Sequence, residues 1–429
     1  MNLRNLFVIV FCFTFSCVEQ SEVSISESSK LIQMKIAGIS DYEKNLAKAS
    51  LYFGEVLKDP YALGELFSSA TSNANSGSIK LNLKTLLENS EDPSFRKKSA
   101  IVAGLKNLDI KNGRIGSPLA NNELIDFLKE NNISVTAPYL AEDFKLDEVN
   151  ELTVSWWTAE YEVENLEKDE SWAGATKAVK INLNSNISVG DVFEREPFLV
   201  DDEWAMTNPT VVLGRFQENT ISDNEVINDA MGSNLRANGS PVQLCDANNR
   251  SAQNILVKIP AIRLEENIAP WPKDNFIYLW VGAAGEVKMN SDNVPTITAD
   301  VNMPLGGFEI TRKEARIQRW LNTSIPFIIS SWKPDADNMV LVWGYDKNRV
   351  DIDYTAGLKG TKNGVSAELS TKIAVRKEIK LIASLAFDKC YTLHNNLNKV
   401  NQGYGYYGNT KFPIYAFDKL RAYFTLETL

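Results

Sequence analysis

The stretch "FEREPFLVDDEW" packs Glu194, Glu196, Asp201, Asp202 and Glu203 into one short run. Paired carboxylates split glycosidic bonds when one keeps its proton as the acid and the other, ionised, acts as base or nucleophile. That chemistry needs a fixed separation across a cleft, which closeness in sequence does not supply. The same run reads equally as a solvated loop entering a helix, where acids offset the backbone dipole. A second group of oxygen ligands follows. "KPDADN" brings Asp335, Asp337 and Asn338 together, and "YDKNRVDID" adds Asp346, Asn348, Asp351 and Asp353. Calcium takes about six to eight oxygens, so it is the cofactor these two turns suit. The glycine and terminal glutamate of an EF-hand are missing. Asp and Asn in turns also bond their own backbone, which is the plainer account of both stretches.

Cys390 and His394 lie four apart in "CYTLHNN". On a helix they share a side, and a thiolate beside an imidazole makes a nucleophile and its base. No glycine-rich oxyanion segment adjoins them, so a structural histidine beside a disulfide or a buried thiol is the simpler reading. The chain has 1 histidine in all. A His-rich zinc site and an HExxH helix are therefore excluded. The P-loop GxxxxGK[ST], GxSxG and CxxC are absent from the sequence, which disfavours P-loop nucleotide binding and α/β-hydrolase chemistry.

Aromatic residues offer binding rather than catalysis. Tyr404, Tyr406 and Tyr407 fall in the glycine-rich stretch "NQGYGYYGNTKFPIY", which predicts an adaptable surface loop. The 9 tryptophans include Trp156, Trp157, Trp172, Trp204, Trp271 and Trp280. Exposed ones would stack on sugars or anchor an interface; core packing accounts for most of them.

These residues must be held by a chain of 429 residues, long enough for two or three domains. Its net charge of -10 argues against a nucleic-acid partner. Residues 31–133 read as helices. In "DYEKNLAKASLYFGEVLKD", Tyr42, Leu46, Ala49, Phe53 and Val56 mark one helical face. Asp59-Pro60 and Asp92-Pro93 restart helices, and "NNELIDFLKENN" adds another. From about residue 150 the pattern changes to short β-branched and aromatic segments such as "LTVSWW", "FIYLWVGA" and "MVLVWGYD". "VDDEWAMTNP" predicts a short helix, and Thr311 with Glu314 a capping box. The expected class is α+β: a helical region, a β-rich domain over 134–268, and an antiparallel β-sandwich-like domain over 269–429.

The opening "MNLRNLFVIVFCFTFSC" has a basic residue, a short apolar run and a small residue before Cys17. The run is too short for a bilayer, which needs about twenty residues, and has the anatomy of a secretory signal. Ser16-Cys17 resembles a lipobox, with Thr14 where leucine is commonest. The resemblance implies removal of residues 1–16, acyl chains on Cys17, and a polar tether over 17–30. Each buried methylene contributes about 0.8 kcal/mol, so several chains on one cysteine hold firmly. With the phenylalanine-rich run, the layout is similar to secreted lipoproteins of the Bacteroidota. It implies a lipid anchor in the outer membrane, on the periplasmic face or the cell surface. Of the remaining cysteines, Cys245 and Cys390 pair as a disulfide or stay as buried thiols. The sequence thus points to a lipid-anchored envelope protein that binds a glycan or an envelope protein without catalysis. A carboxylate-dependent hydrolase acting on glycans is the rival.

Overall fold

The computed structural model describes residues 40–72, 78–91, 98–114, 123–185, 196–216, 255–291, 294–302, 307–323, 329–346, 353–362, 365–374, 379–398, 404–407 and 410–428. The chain divides into a unit Met1–Asp41 and a unit Tyr42–Leu429, and the fold below is that of the second. Cys17 and the rest of the lipobox lie outside the described residues, as do Cys245, Glu194 and Asp351. No helix among the described residues is long and apolar enough to cross a membrane.

Helix α1 (Asp41–Val56) buries Leu46, Ala49, Phe53 and Val56, the stripe read from the sequence. Asp59 accepts the Tyr61 amide at 2.8 Å where α2 (Pro60–Ser72) begins, so the Asp-Pro pair does start a helix. A strand then intervenes, β1 (Ile79–Asn82), before α3 (Leu83–Asn89), α4 (Ala100–Arg114) and α5 (Glu123–Glu130). Strand β2 (Ser134–Ala137) returns antiparallel to β1. After the one-turn helix α6 (Leu140–Asp143) come β3 (Glu151–Trp157), α7 (Ala159–Lys168), β4 (Thr176–Asn182), β5 (Phe198–Val200), α8 (Asp202–Thr207) and β6 (Thr210–Gly214).

These strands form one sheet in the order β1-β2-β6-β3-β4-β5, antiparallel except for β3 beside β6. Side chains alternate across a sheet. One face of it, with Ile79, Val135, Leu152, Val154, Val179 and Leu213, shares a single core with α1 to α5. A Cβ on Gly54 of α1 would stand 2.3 Å from Ile181, so only glycine lets the helix lie this close to the sheet. The helical region is thus one layer over a sheet, and the expected break between residues 133 and 134 falls inside a common core.

The second assembly is a sandwich. Its strands are β7 (Ile255–Leu264), β8 (Asn275–Met289), β9 (Pro295–Asn302), β10 (Gly307–Ile310), β11 (Leu321–Asn322), β12 (Ile329–Trp332) and β13 (Asn338–Asp346). They continue with β14 (Asp353–Lys362), β15 (Val365–Ala374), β16 (Ile379–Asp388), β17 (Tyr404–Tyr407), β18 (Thr410–Phe417) and β19 (Leu420–Thr428). Helix α9 (Arg312–Arg316) carries the predicted capping box between Thr311 and Glu314, and α10 is Lys389–Asn398. One sheet runs β10-β8-β13-β16, with β9 on β8. The other runs β11-β7-β19-β18-β17, with β12 on β7, and β14 and β15 form a hairpin. The two sheets share a core in which Trp343 meets Phe417 at 5.6 Å. Because β7 sits between β11 and β19, the sandwich begins near residue 255 and not at 269.

Candidate functional site

The second face of the first sheet is covered only in part. Residues 269–274, expected to mark a domain boundary, form a plug on it. Trp271 is fully buried among Trp157, Ala178, Val200 and Val212. Its indole donates to Thr176 Oγ1 at 3.1 Å, and its ring lies parallel to Tyr139, 6.4 Å away. The Trp271-Pro272 peptide is cis. Gly174, at φ +97°, lets its own backbone pass the plug; a Cβ there would stand 2.1 Å from the Trp271 nitrogen.

A buried polar cluster holds the plug and the sandwich to the sheet. Arg312, 2 % exposed, donates to Asp202 at 2.5 Å and to the carbonyls of Ala269 at 3.0 Å and Lys273 at 2.7 Å. Tyr139 donates to the same Asp202 oxygen at 2.8 Å, and Asn267 to the other at 3.0 Å. Burial pushes the Tyr139 phenol well above its ordinary pKa, and the Asp202 charge adds to that. The plug's lysine, Lys273, reaches the fully buried Glu162 at 2.8 Å, and Glu162 also accepts the Trp157 indole at 2.8 Å.

Beyond the plug, the strip of sheet over β1, β2 and the end of β6 stays open. It forms a cleft of about 820 Å³, within the roughly 300–1,000 Å³ usual for ligand sites. Val135 and Ala137 point into the helical core, so Ser134 and Thr136 point into the cleft. Both residues are more than nine-tenths buried, at 8 % and 5 % exposure, and neither hydroxyl has a hydrogen-bond partner among the described residues. At one end of the cleft Lys80 bridges Asp274, at 3.1 Å, and Glu309. At the other stand Tyr42, Glu160 and Arg215. Burial raises the Tyr42 phenol, Glu160 adds to the shift, and Arg215 opposes it. Arg215 has no ion pair among the described residues. Phe216 stacks on Trp157 at 5.2 Å along the wall.

The sequence-predicted sites fall elsewhere. Asp201 caps α8 by accepting the Trp204 amide, Asp202 belongs to the buried cluster, and Glu196 and Glu203 are exposed. These acids do not converge on a cleft. In the expected calcium turns, Asp337 accepts from Thr361 at 2.6 Å, and Asn338 bonds both Gly357 and Lys359. The cation there is Lys389, buried, which donates to the carbonyls of Trp332 and Lys333 at 3.2 and 2.7 Å. Burial pulls its pKa down to about 8, against the pull of Asp335 and Asp337. Asp353 opens β14 opposite Ala374. Among the described residues no group of acids, cysteines or histidines is placed to hold a metal ion.

Cys390 is disulfide-bonded, so its sulfur is no nucleophile, and His394 on the same helix is exposed. Tyr404, Tyr406 and Tyr407 lie in β17, paired with β18 at the end of its sheet, rather than in a loop. Trp156, Trp157, Trp271, Trp280, Trp332 and Trp343 are buried, and Trp172, Trp204 and Trp320 half-buried, so none forms an exposed platform. Trp157 alone reaches the cleft. Comparison of the chain with protein-family models, with curated proteins and with solved structures returned no match.

Proposed function

We propose that this chain is a lipid-anchored protein of the cell envelope that holds an extracytoplasmic ligand in the cleft over β1 and β2 and does not transform it. The observation that carries the reading is the pair of hydroxyls on the largely buried Ser134 and Thr136, which open onto a cavity and have no hydrogen-bond partner among the described residues. With no partner in the fold and a surface open to the cavity, the two hydroxyls are left to bond water or a ligand. Hydrolysis by paired carboxylates needs one carboxyl free to give a proton. Of the three acids lining the cleft, Asp274 and Glu309 share the Lys80 ammonium, which leaves Glu160 single rather than one of a pair, and Asp201 and Asp202 are engaged in a cap and an ion pair. The net charge of -10 turns nucleic acid away. The anchor rests on the lipobox-like Ser16-Cys17 junction.

Two measurements test this. Mass spectrometry of the mature protein is expected to find Cys17 as an acylated first residue; a free thiol there removes the anchor. Full chain in detergent, incubated with envelope extract, is expected to retain a species that a cleft-filling Thr136→Trp variant of unchanged melting temperature does not. Equal retention by both would place the ligand outside the cleft.

A further inference from the structure

We infer that the ligand is an uncharged oligosaccharide, gripped through its hydroxyls by the polar strip of β1 and β2. The inference rests on the cleft being a ligand site and adds the chemistry of what fills it. Lys80, Arg215 and Lys273 face Glu160, Asp274 and Glu309 along the lining, so the charges balance and select no ion of either sign. Such a wall suits groups that donate and accept in turn. Carboxylates accept from a sugar hydroxyl and cations donate to one, while Ser134 and Thr136 do either. Their side chains project from alternate positions of one strand, which fixes the spacing of the two hydroxyls on a rigid element.

The pyranose ring also has an apolar face of C–H groups, and the Phe216 ring, half-buried on Trp157, offers a flat apolar partner beside the strip. An extended peptide would instead seek a sheet edge, where backbone groups are free to pair. The cleft presents side chains on a sheet face. An acidic polymer would find two of the three lining cations already paired, Lys80 with Asp274 and Glu309 and Lys273 with Glu162.

The test is calorimetric titration of the full chain in detergent with defined probes: neutral hexasaccharides of glucose, mannose and galactose, hexagalacturonate, and a glycine-serine hexapeptide. At least one neutral hexasaccharide is expected to bind more tightly than either other probe. Raising salt from about 0.05 to 0.5 M is expected to leave its affinity unchanged, since no net charge is exchanged. Ser134→Ala with Thr136→Val should weaken it about tenfold at unaltered melting temperature, and Arg215→Gln severalfold. Preference for hexagalacturonate with collapse in salt, preference for the peptide, or indifference to the double substitution each overturns the inference. So does failure of every neutral probe, and retention of another cleft-dependent species from envelope extract would then show that the binding reading survives without the saccharide.

Discussion

Around Asp202 every polar group has found its partner within the chain: a guanidinium, a phenol and an amide converge on one carboxylate. Around Thr136, on the same side of the same sheet, the hydroxyls of two largely buried residues and the exposed Arg215 guanidinium have none among the described residues. Both clusters lie where the helix-covered sheet meets the sandwich, and the first is costly to remove from water. The first recovers that cost in the fold and fixes how plug and sheet meet. The second keeps its polar groups facing a cavity that water or a ligand can enter. Satisfaction of polar groups separates the part that holds the fold from the part proposed to bind.

The sharpest way to break this contrast is Arg312→Met. It strands Asp202 without its cation, and the unfolding free energy is expected to fall by about 3–5 kcal/mol, read from the urea midpoint. A loss under about 1 kcal/mol would mean the cluster holds little. Lys389 provides a second satisfied site with a pH signature. Its folded pKa of about 8 lies below the ordinary 10.5. Between those values the unfolded chain binds the proton that the folded chain releases, so stability rises with pH across that window and is level below it. Relative to Lys389→Met, the rise should be on the order of 3 kcal/mol. A flat difference would show that the ammonium is already solvated.

On the binding side, Ser134→Ala with Thr136→Val should leave stability within about 0.5 kcal/mol, as for surface sites, because no bond within the fold is lost. A loss above about 2 kcal/mol would show that the hydroxyls serve the core after all. The smallest effect is expected from chelation. The carbonyls beside the Asp335 turn already serve an ammonium, so EDTA should leave the melting temperature where it is; a fall of several degrees would restore calcium.

What could be read in the sequence was local. The stripe of α1, the Asp59-Pro60 start, the Thr311 capping box and most strands of the sandwich follow from periodicity and caps, which act within a few residues. The four-residue strand β1 was hidden among helices because so short a run carries no period of its own. Helix α7 was missed because "AEYEVENLEK" follows directly on a strand and has a charged outer face. The cleft was illegible for another reason. Its lining comes from β1, β2, the turn after β3, the end of β6 and the plug, pieces that only the sheet order brings together. Conspicuous clusters such as "VDDEW" and "YGYY" drew notice by composition, yet their positions turned out to be a cap, an ion pair and a terminal strand of a sheet.

The place of β19 in its sheet has a consequence for how the molecule is made. Leu420–Thr428 pairs with β7 on one side and β18 on the other, so it joins strands that lie far apart along the chain. Until it is synthesised, β7 lacks its longest neighbour. Such distant pairing makes for slow assembly. A protein exported as proposed here would therefore remain open while it is threaded through a translocation pore, and would shut only once its last strand had arrived on the far side.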